Sequence, residues 1–345
     1  NELYVAGNDE RGQLGGISTV DDGEERKVLS FRKLSLEMIL DGLAKEDLNQ
    51  LDKPETYEIQ GIAASWDTSF IHLRSERSRE RRNDVLLSMG GNDWNELGTV
   101  STSTSSVQLI SFDHLIPSNL LSTAKIRIND IKAGPRHIIA KIEIIHSASE
   151  HHLVGWGASR HGQLGNSSPG ILKSPRTTEI PTLLQPPINQ NDKDILQIGI
   201  GRDHTLLLYN LTTIILLGSS RQNQLGPFNN NGVGILDRSS NLGETIKAGE
   251  SSSLEQIGSS WTSNYILKRN ELNQHQLYGF GSNAHCQLGT QSTLTSSPTP
   301  LLITLPVPPS SQVIQLACGS EHVLVLVANV TGDTEVISWG WNEHG

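Results

Sequence analysis

Three histidines, His137, His204 and His322, each follow a small residue by three positions and open an apolar run. Three neutral imidazoles are the ligand set of a catalytic zinc, so this is the first chemistry to test. They recur in step with a longer repeat, which puts them at equivalent places in separate units and makes them structural histidines. No metal is implied. Cys286 and Cys318 stand 32 residues apart without a Cys-x-x-Cys spacing, which supports neither a zinc site nor a disulfide framework and fits a reducing compartment. The sequence holds no phosphate-binding glycine loop, no dinucleotide fingerprint, no nucleophile elbow and no His-Glu-x-x-His. It reads as a non-catalytic chain without a cofactor.

The elements that position these residues come from an internal repeat. Ala6 to Gly15 reads AGNDERGQLG, Met89 to Gly98 MGGNDWNELG, Trp156 to Gly165 WGASRHGQLG, Leu217 to Gly226 LGSSRQNQLG and Phe280 to Gly289 FGSNAHCQLG. A sixth copy, WGWNEHG, runs from Trp339 to Gly345. The second-position glycines, Gly7, Gly90, Gly157, Gly218, Gly281 and Gly340, are separated by 83, 67, 61, 63 and 59 residues. Inside every interval lies one shorter motif: Gly134-Pro135-Arg136-His137, Gly201-Arg202-Asp203-His204 and Gly319-Ser320-Glu321-His322, with two variants, Ser65-Trp66-Asp67-Thr68 and Ser260-Trp261-Thr262-Ser263.

Each short motif leads into an apolar or alternating run, a polar turn and a second apolar run that ends at the next tail motif. This is strand, hairpin, strand. The unit is all-β, and sheets stacked face to face need apolar residues on both faces and glycine where backbones crowd. Leu14, Leu97, Leu164, Leu225 and Leu288 are expected to fill the space between sheets, and the glycine after each to supply a positive φ.

The tail motif and the Gly-x-x-His motif together resemble the regulator-of-chromosome-condensation repeat family over nearly the whole chain. The resemblance implies one β-propeller over residues 1–345 with four-stranded antiparallel blades, about six visible of an expected seven, and incomplete ends. Asn1 rather than Met opens the sequence, in keeping with a chain cut at its front. The departures at Ser65–Thr68 and Ser260–Ser263, with the terminal Trp339–Gly345, are similar to a fungal branch of the family, the alpha-tubulin-suppressor or killer-toxin-insensitivity type. That likeness implies a cytosolic scaffold, with the nucleus as a second location. Its partner would be a small zinc-ribbon iron protein, in diphthamide synthesis and Elongator-dependent tRNA wobble-uridine modification. The family also admits two alternatives, exchange of guanine nucleotide on a Ran-like small GTPase and a cytoskeletal or chromatin adaptor. A net charge of -10 argues against direct nucleic-acid binding and suits basic partners, and no apolar run is long enough to span a membrane as a helix.

Binding residues are expected in the loops, at the two residues that precede each repeated histidine, because these differ from copy to copy while their flanks do not. Trp66 and Asp67, Pro135 and Arg136, Arg202 and Asp203, Trp261 and Thr262, and Ser320 and Glu321 form this candidate contact ring. Trp66 and Trp261 lead it, since large flat side chains dominate binding hot spots. Trp341, Glu343 and His344 make a second patch. Residues 32–51 place Leu34, Met38, Leu43 and Leu48 at helical spacing around Gly42 and read as a helical surface insertion. Residues 74–82, RSERSRERR, read as a solvated hairpin tip.

Overall fold

The computed structural model describes residues 2–15, 27–75, 84–100, 105–165, 176–184, 195–226, 233–236, 253–290 and 293–342. It divides into two compact units, residues 1–159 with 175–184, and residues 160–174 with 185–345.

In the first unit, β1 (Leu3–Asn8) pairs with β2 (Lys27–Leu34), followed by the short helices α1 (Leu36–Asp41) and α2 (Lys45–Leu48). Two four-stranded sheets follow. One holds β3 (Tyr57–Ala64), β4 (Thr68–Ser75), β5 (Val85–Gly90) and β6 (Val107–Ile110); the other holds β7 (Lys125–Ala133), β8 (His137–Ile145), β9 (Ser149–Ala158) and β10 (Thr177–Leu183). The second unit contains β11 (Ile195–Ile200), β12 (His204–Tyr209), β13 (Thr213–Gly218) and β14 (Val233–Leu236) in one sheet. Its next sheet is β15 (Ser253–Ser259), β16 (Ser263–Arg269), β17 (His275–Ser282) and β18 (Ser296–Ile303), and its last is β19 (Gln312–Cys318), β20 (His322–Ala328) and β21 (Thr334–Gly340). Every sheet is an antiparallel meander in chain order, as hairpin connections require.

Strand patterning follows coverage. All six residues of β12 are buried, and its apolar run HTLLLY suits a strand covered on both faces. In β20 the buried residues alternate, and Leu324 on the other face is 41% exposed. Between the two sheets of the first unit, Phe70 meets Trp156 edge to face at 6.0 Å within a core that includes Leu86, Ile138 and Val154. The second unit repeats this contact with Tyr265 and Trp339 at 6.4 Å. Such pairs add about 0.5–1.5 kcal/mol beyond the area they bury.

The first strand of each of the five sheets after β1–β2 carries a bulge, at Ile59/Gly61, Ile128/Asp130, Ile195/Gln197, Leu254/Gln256 and Val313/Gln315. A bulge re-aims the side chain that follows it. Gln197 Nε2 donates to the Glu255 carbonyl at 2.6 Å while its Oε1 accepts from the Ile257 N–H at 2.9 Å. Gln256 does the same to Ile314 and Leu316 at 3.0 Å each. These amides stand in for a peptide group and stitch one sheet's inner strand to the next.

The insertion departs from the surface reading. Residues 32–34 of it end strand β2 rather than a helix, and the helices bury Ile39 and Leu40, with Leu43 after them, against Ile71, Leu73 and Leu87, whereas Met38 and Leu48 face solvent. The Gly42 carbonyl accepts from the Val107 N–H at 3.1 Å, and a Cβ at Gly42 would lie 2.7 Å from Val107 Cγ2. The segment is part of the core of its unit, and Gly42 marks a close approach to β6. Of the basic run, Arg74 is engaged by Asp84 through two hydrogen bonds, at 2.9 and 2.8 Å; residues 76–82 lie outside the described residues. Burial alone would raise the Asp84 carboxyl, but hydrogen bonds from His72, Arg74 and the Ile128 N–H hold it well below the usual carboxylate range.

Candidate functional site

Each sheet passes from its first strand to its second through the short motif, and one backbone bond closes every copy. The N–H of Ser65, Gly134, Gly201, Ser260 and Gly319 donates to the carbonyl three residues on, at 2.8–2.9 Å. Two side-chain solutions support the turn. In the glycine form the histidine ring folds back over the turn, and a Cβ on Gly201 would sit 2.0 Å from His204 Cε1; at Gly319 it would sit 2.2 Å from His322 Cε1. In the serine form there is no ring to house, and the Ser65 and Ser260 hydroxyls accept from the N–H of Thr68 and Ser263 at 3.1 Å. Gly with His, and Ser with Thr or Ser, are therefore exchanged as pairs.

His204 is fully buried. Asn264 Nδ2 donates to the Gln224 carbonyl at 2.7 Å, which turns Asn264 Oδ1 toward His204 Nε2 at 2.8 Å and makes that nitrogen the protonated one. Burial pushes the His204 imidazole down to about 4 despite this bond and the nearby Asp203 charge. His137 is equally buried, while His322 is exposed. Among the described residues no group of three His, Cys, Asp or Glu side chains gathers in metal-binding geometry.

The two variable residues are held by their main chains. The carbonyl of the second accepts from the residue after the tail-motif glycine: Asp67 from Gly91, Arg136 from Ala158, Asp203 from Ser219, Thr262 from Ser282 and Glu321 from Trp341, at 2.7–3.0 Å. This approach explains the tail glycine. At Gly218, with φ +113°, a Cβ would lie 2.4 Å from the Asp203 oxygen. The N–H of the first variable residue reaches the neighbouring sheet, Trp66 to the Pro135 carbonyl at 3.4 Å, Arg202 to Trp261 at 3.1 Å and Trp261 to Ser320 at 2.8 Å.

The side chains on this frame differ in fate. Trp66 is 64% exposed and Asp67 half-buried beside Gly91. Arg136 lies with its guanidinium carbon 4.8 Å from the centre of the Trp94 ring. Arg202 is half-exposed with its Nε 3.2 Å from Asp203 Oδ2, and Trp261 is half-buried. Glu321 is 8% exposed and accepts from the Thr262 hydroxyl at 3.0 Å and from the Gln287 amide, so its carboxylate serves the frame rather than the surface. Trp341 is exposed and stacks on His285 at 4.8 Å, whereas Glu343 and His344 lie outside the described residues.

A second row of variable side chains joins the first, from the fifth and sixth positions of the tail motif. The Gln or Glu two places on fixes their loop by accepting the sixth residue's N–H: Gln13 from Arg11, Glu96 from Trp94, Gln163 from His161, Gln224 from Gln222 and Gln287 from His285, at 2.8–2.9 Å. In the first unit this places Trp94 against Arg136, with Arg176 at 5.0 Å from the same ring, and Arg11 Nη2 against Asp93 at 2.6 Å. In the second unit the charges of Arg160 and Arg221, both exposed, and of Arg202 act on His161. Burial and these cations hold the His161 imidazole below its ordinary value, with Asp203 pulling the other way. None of these tail-motif residues was among the short-motif candidates, yet the signal was the same: they too vary between copies while their flanks repeat.

Residues 150–208 and 274–326 match the regulator of chromosome condensation (RCC1) repeat. Each match covers the last two strands of one sheet and the first two of the sheet that follows in sequence, so the sequence repeat is out of phase with the sheet. An RCC1 domain-containing protein of Dictyostelium discoideum is 28% identical over 254 residues, which is 65% of this chain and 47% of that protein. The ultraviolet-B receptor UVR8 of Arabidopsis thaliana is 26% identical over 234 residues, 68% of this chain and 46% of the receptor. This chain thus spans about half the length of the curated relatives it matches. Among solved structures, that of Prp20p from Saccharomyces cerevisiae, described with its binding to Gsp1p and histones, aligns over 98% of this chain and 66% of its own with a TM-score of 0.63 at 17% identity. Residues 150–208 and 274–326 are thus regulator-of-chromosome-condensation repeats, and the sheets are blades of the β-propeller type.

Proposed function

We propose that this protein is a non-catalytic binding scaffold that engages a protein partner through the variable side chains of the short and tail motifs. One observation carries the reading: the main chains at these positions are bonded into the frame, so the fold fixes where each side chain stands without requiring its identity. Hot-spot residue types stand at these positions in each unit, Trp66 and Arg136 in the first and Arg202, Arg221 and Trp341 in the second. The partner in this reading is a small zinc-ribbon iron protein, and the setting is cytosolic, in diphthamide synthesis and Elongator-dependent tRNA modification. The serine-tryptophan turns at Ser65 and Ser260 support it. Co-purification of that partner with the tagged chain, lost in Trp66→Ala or Trp261→Ala variants that melt normally, is the expected result. Retention of the partner by both variants refutes the assignment of these residues.

The likeness to Prp20p favours one second reading, exchange of nucleotide on a Ran-type GTPase such as Gsp1p. Release of labelled GDP from Gsp1p, timed with and without the chain, separates the two. Acceleration makes the chain an exchange factor, and an unchanged rate leaves the scaffold.

A further inference from the structure

Arg136 and Arg176 come from different parts of the sequence, the short motif and the start of β10, and both place their guanidinium carbons within 5.0 Å of the Trp94 ring centre. Among the described residues neither guanidinium pairs with a carboxylate. The loop that carries the ring is anchored. The Trp94 backbone N–H donates to Glu96 Oε2 at 2.8 Å, and the adjacent Asn95 side chain donates to Thr177 Oγ1 at 2.7 Å, which joins the tail loop to the strand that Arg176 precedes. The Arg176 carbonyl accepts from the Ser159 N–H at 3.1 Å, and that of Arg136 from Ala158 at 2.7 Å.

Two like charges gathered on one indole repel each other, and stacking on the ring's negative face offsets part of that repulsion. Stacking also spends the rotamer freedom of both side chains before any ligand arrives, so each guanidinium presents its donors from a fixed place. A pair of unpaired, preorganised forks suits an anion with several acceptor oxygens on one centre. A phosphoryl ester fits that description, with about -1.5 to -2 charge and three acceptor oxygens. A run of many carboxylates fits less well, because it must approach a chain of net charge -10. The same net charge draws a basic segment.

We propose that Trp94, Arg136 and Arg176 form a docking site for a phosphorylated serine or threonine within a basic segment of a protein partner. This rests on the scaffold reading and specifies the partner's chemistry at one place on the loop surface.

The test uses the full chain and a fluorescent peptide with a central phosphoserine between pairs of lysines, read by anisotropy. The phosphorylated peptide is expected to bind about tenfold or more tightly than its unmodified form. Arg136→Gln or Arg176→Gln should remove most of that difference, and Arg176→Lys should restore only part, since lysine keeps the charge but loses the fork. Arg32→Gln, at an exposed position of β2, should leave it unchanged. Melting temperatures check that the variants fold. Equal binding of modified and unmodified peptides overturns the proposal, as does full binding by both glutamine variants. A glutamate-substituted peptide that binds as well as the phosphorylated one overturns it in favour of a carboxylate ligand. If a partner is captured through Trp66 or Trp261 and phosphatase treatment leaves that capture intact, this inference fails while the scaffold reading stands.

Discussion

The β11–β14 and β15–β18 sheets make the same turn with different residues. In the first, Gly201 leaves room for the His204 ring, and the buried imidazole bonds to Asn264. In the second, the Ser260 hydroxyl accepts the Ser263 N–H and the Ser263 hydroxyl donates to the Ser282 carbonyl at 2.7 Å. Both turns close with the same backbone bond, at 2.9 Å, and both hand the next carbonyl to the residue after a tail glycine. The frame is therefore a main-chain pattern that tolerates two side-chain supports. Of the residues inside these two turns, Thr262 is buried and donates to Glu321, whereas Arg202 and Trp261 are only partly buried, so their identity is set less by the frame.

The comparison can be broken most sharply at the tail glycines. Gly218→Ala and Gly281→Ala force a Cβ to 2.4 and 2.5 Å from the Asp203 and Thr262 oxygens at positive φ, and each should cost about 2–4 kcal/mol in urea unfolding. Tolerance at one site and not the other would show that the two sheets do not share a frame.

Acid separates the two supports next. The His204 pKa is lowered from 6.5 to about 4 by burial, so between those values the unfolded chain binds a proton that the folded chain refuses. Stability from this residue is full above pH 6.5 and is lost as pH falls toward 4, by up to about 3 kcal/mol. Ser263 has no such term. Unfolding midpoints across this range should slope less in His204→Ser, and an unchanged slope would assign the acid sensitivity elsewhere.

Exchange of the paired residues is a third test. Gly201→Ala should cost about 1–3 kcal/mol because the new Cβ meets the imidazole, and His204→Ser in the same chain should recover most of that cost. Additive penalties would contradict the pairing. The smallest effects belong to the variable positions: Arg202→Ala and Trp66→Ala should shift stability by less than about 0.5 kcal/mol while weakening partner capture.

Much of the frame was legible in the sequence because backbone geometry imposes the same residue wherever it recurs. Gly218 must be glycine for a local reason, a positive φ beside a carbonyl, and the same holds at Gly90, Gly157, Gly281 and Gly340, while Gly7 shares only the positive φ. Leu164, Leu225 and Leu288 are buried as their recurrence implied, while Leu14 and Leu97 are only half-buried. The insertion was harder. Its helical spacing linked Leu34, Met38, Leu43 and Leu48, of which Leu34 and Leu43 are buried but Met38 and Leu48 face solvent, and the first helix buries Ile39 and Leu40 instead, because two short helices broken at Gly42 do not keep a single helical phase.

By itself the sequence determined the repeat, the all-β sheets and the positions left to vary. Only the tertiary structure decided which variable side chains meet. Trp94, Arg136 and Arg176 converge because the tail loop of one repeat lies against the short motif of the next, and the loops between them change length without disturbing either end. It also decided that Glu321 is spent on Gln287 and Thr262 rather than on a partner, a matter of burial that residue type cannot reveal. Main-chain strain is local and repeats with the sequence, whereas the company a side chain keeps depends on what the next repeat brings to it.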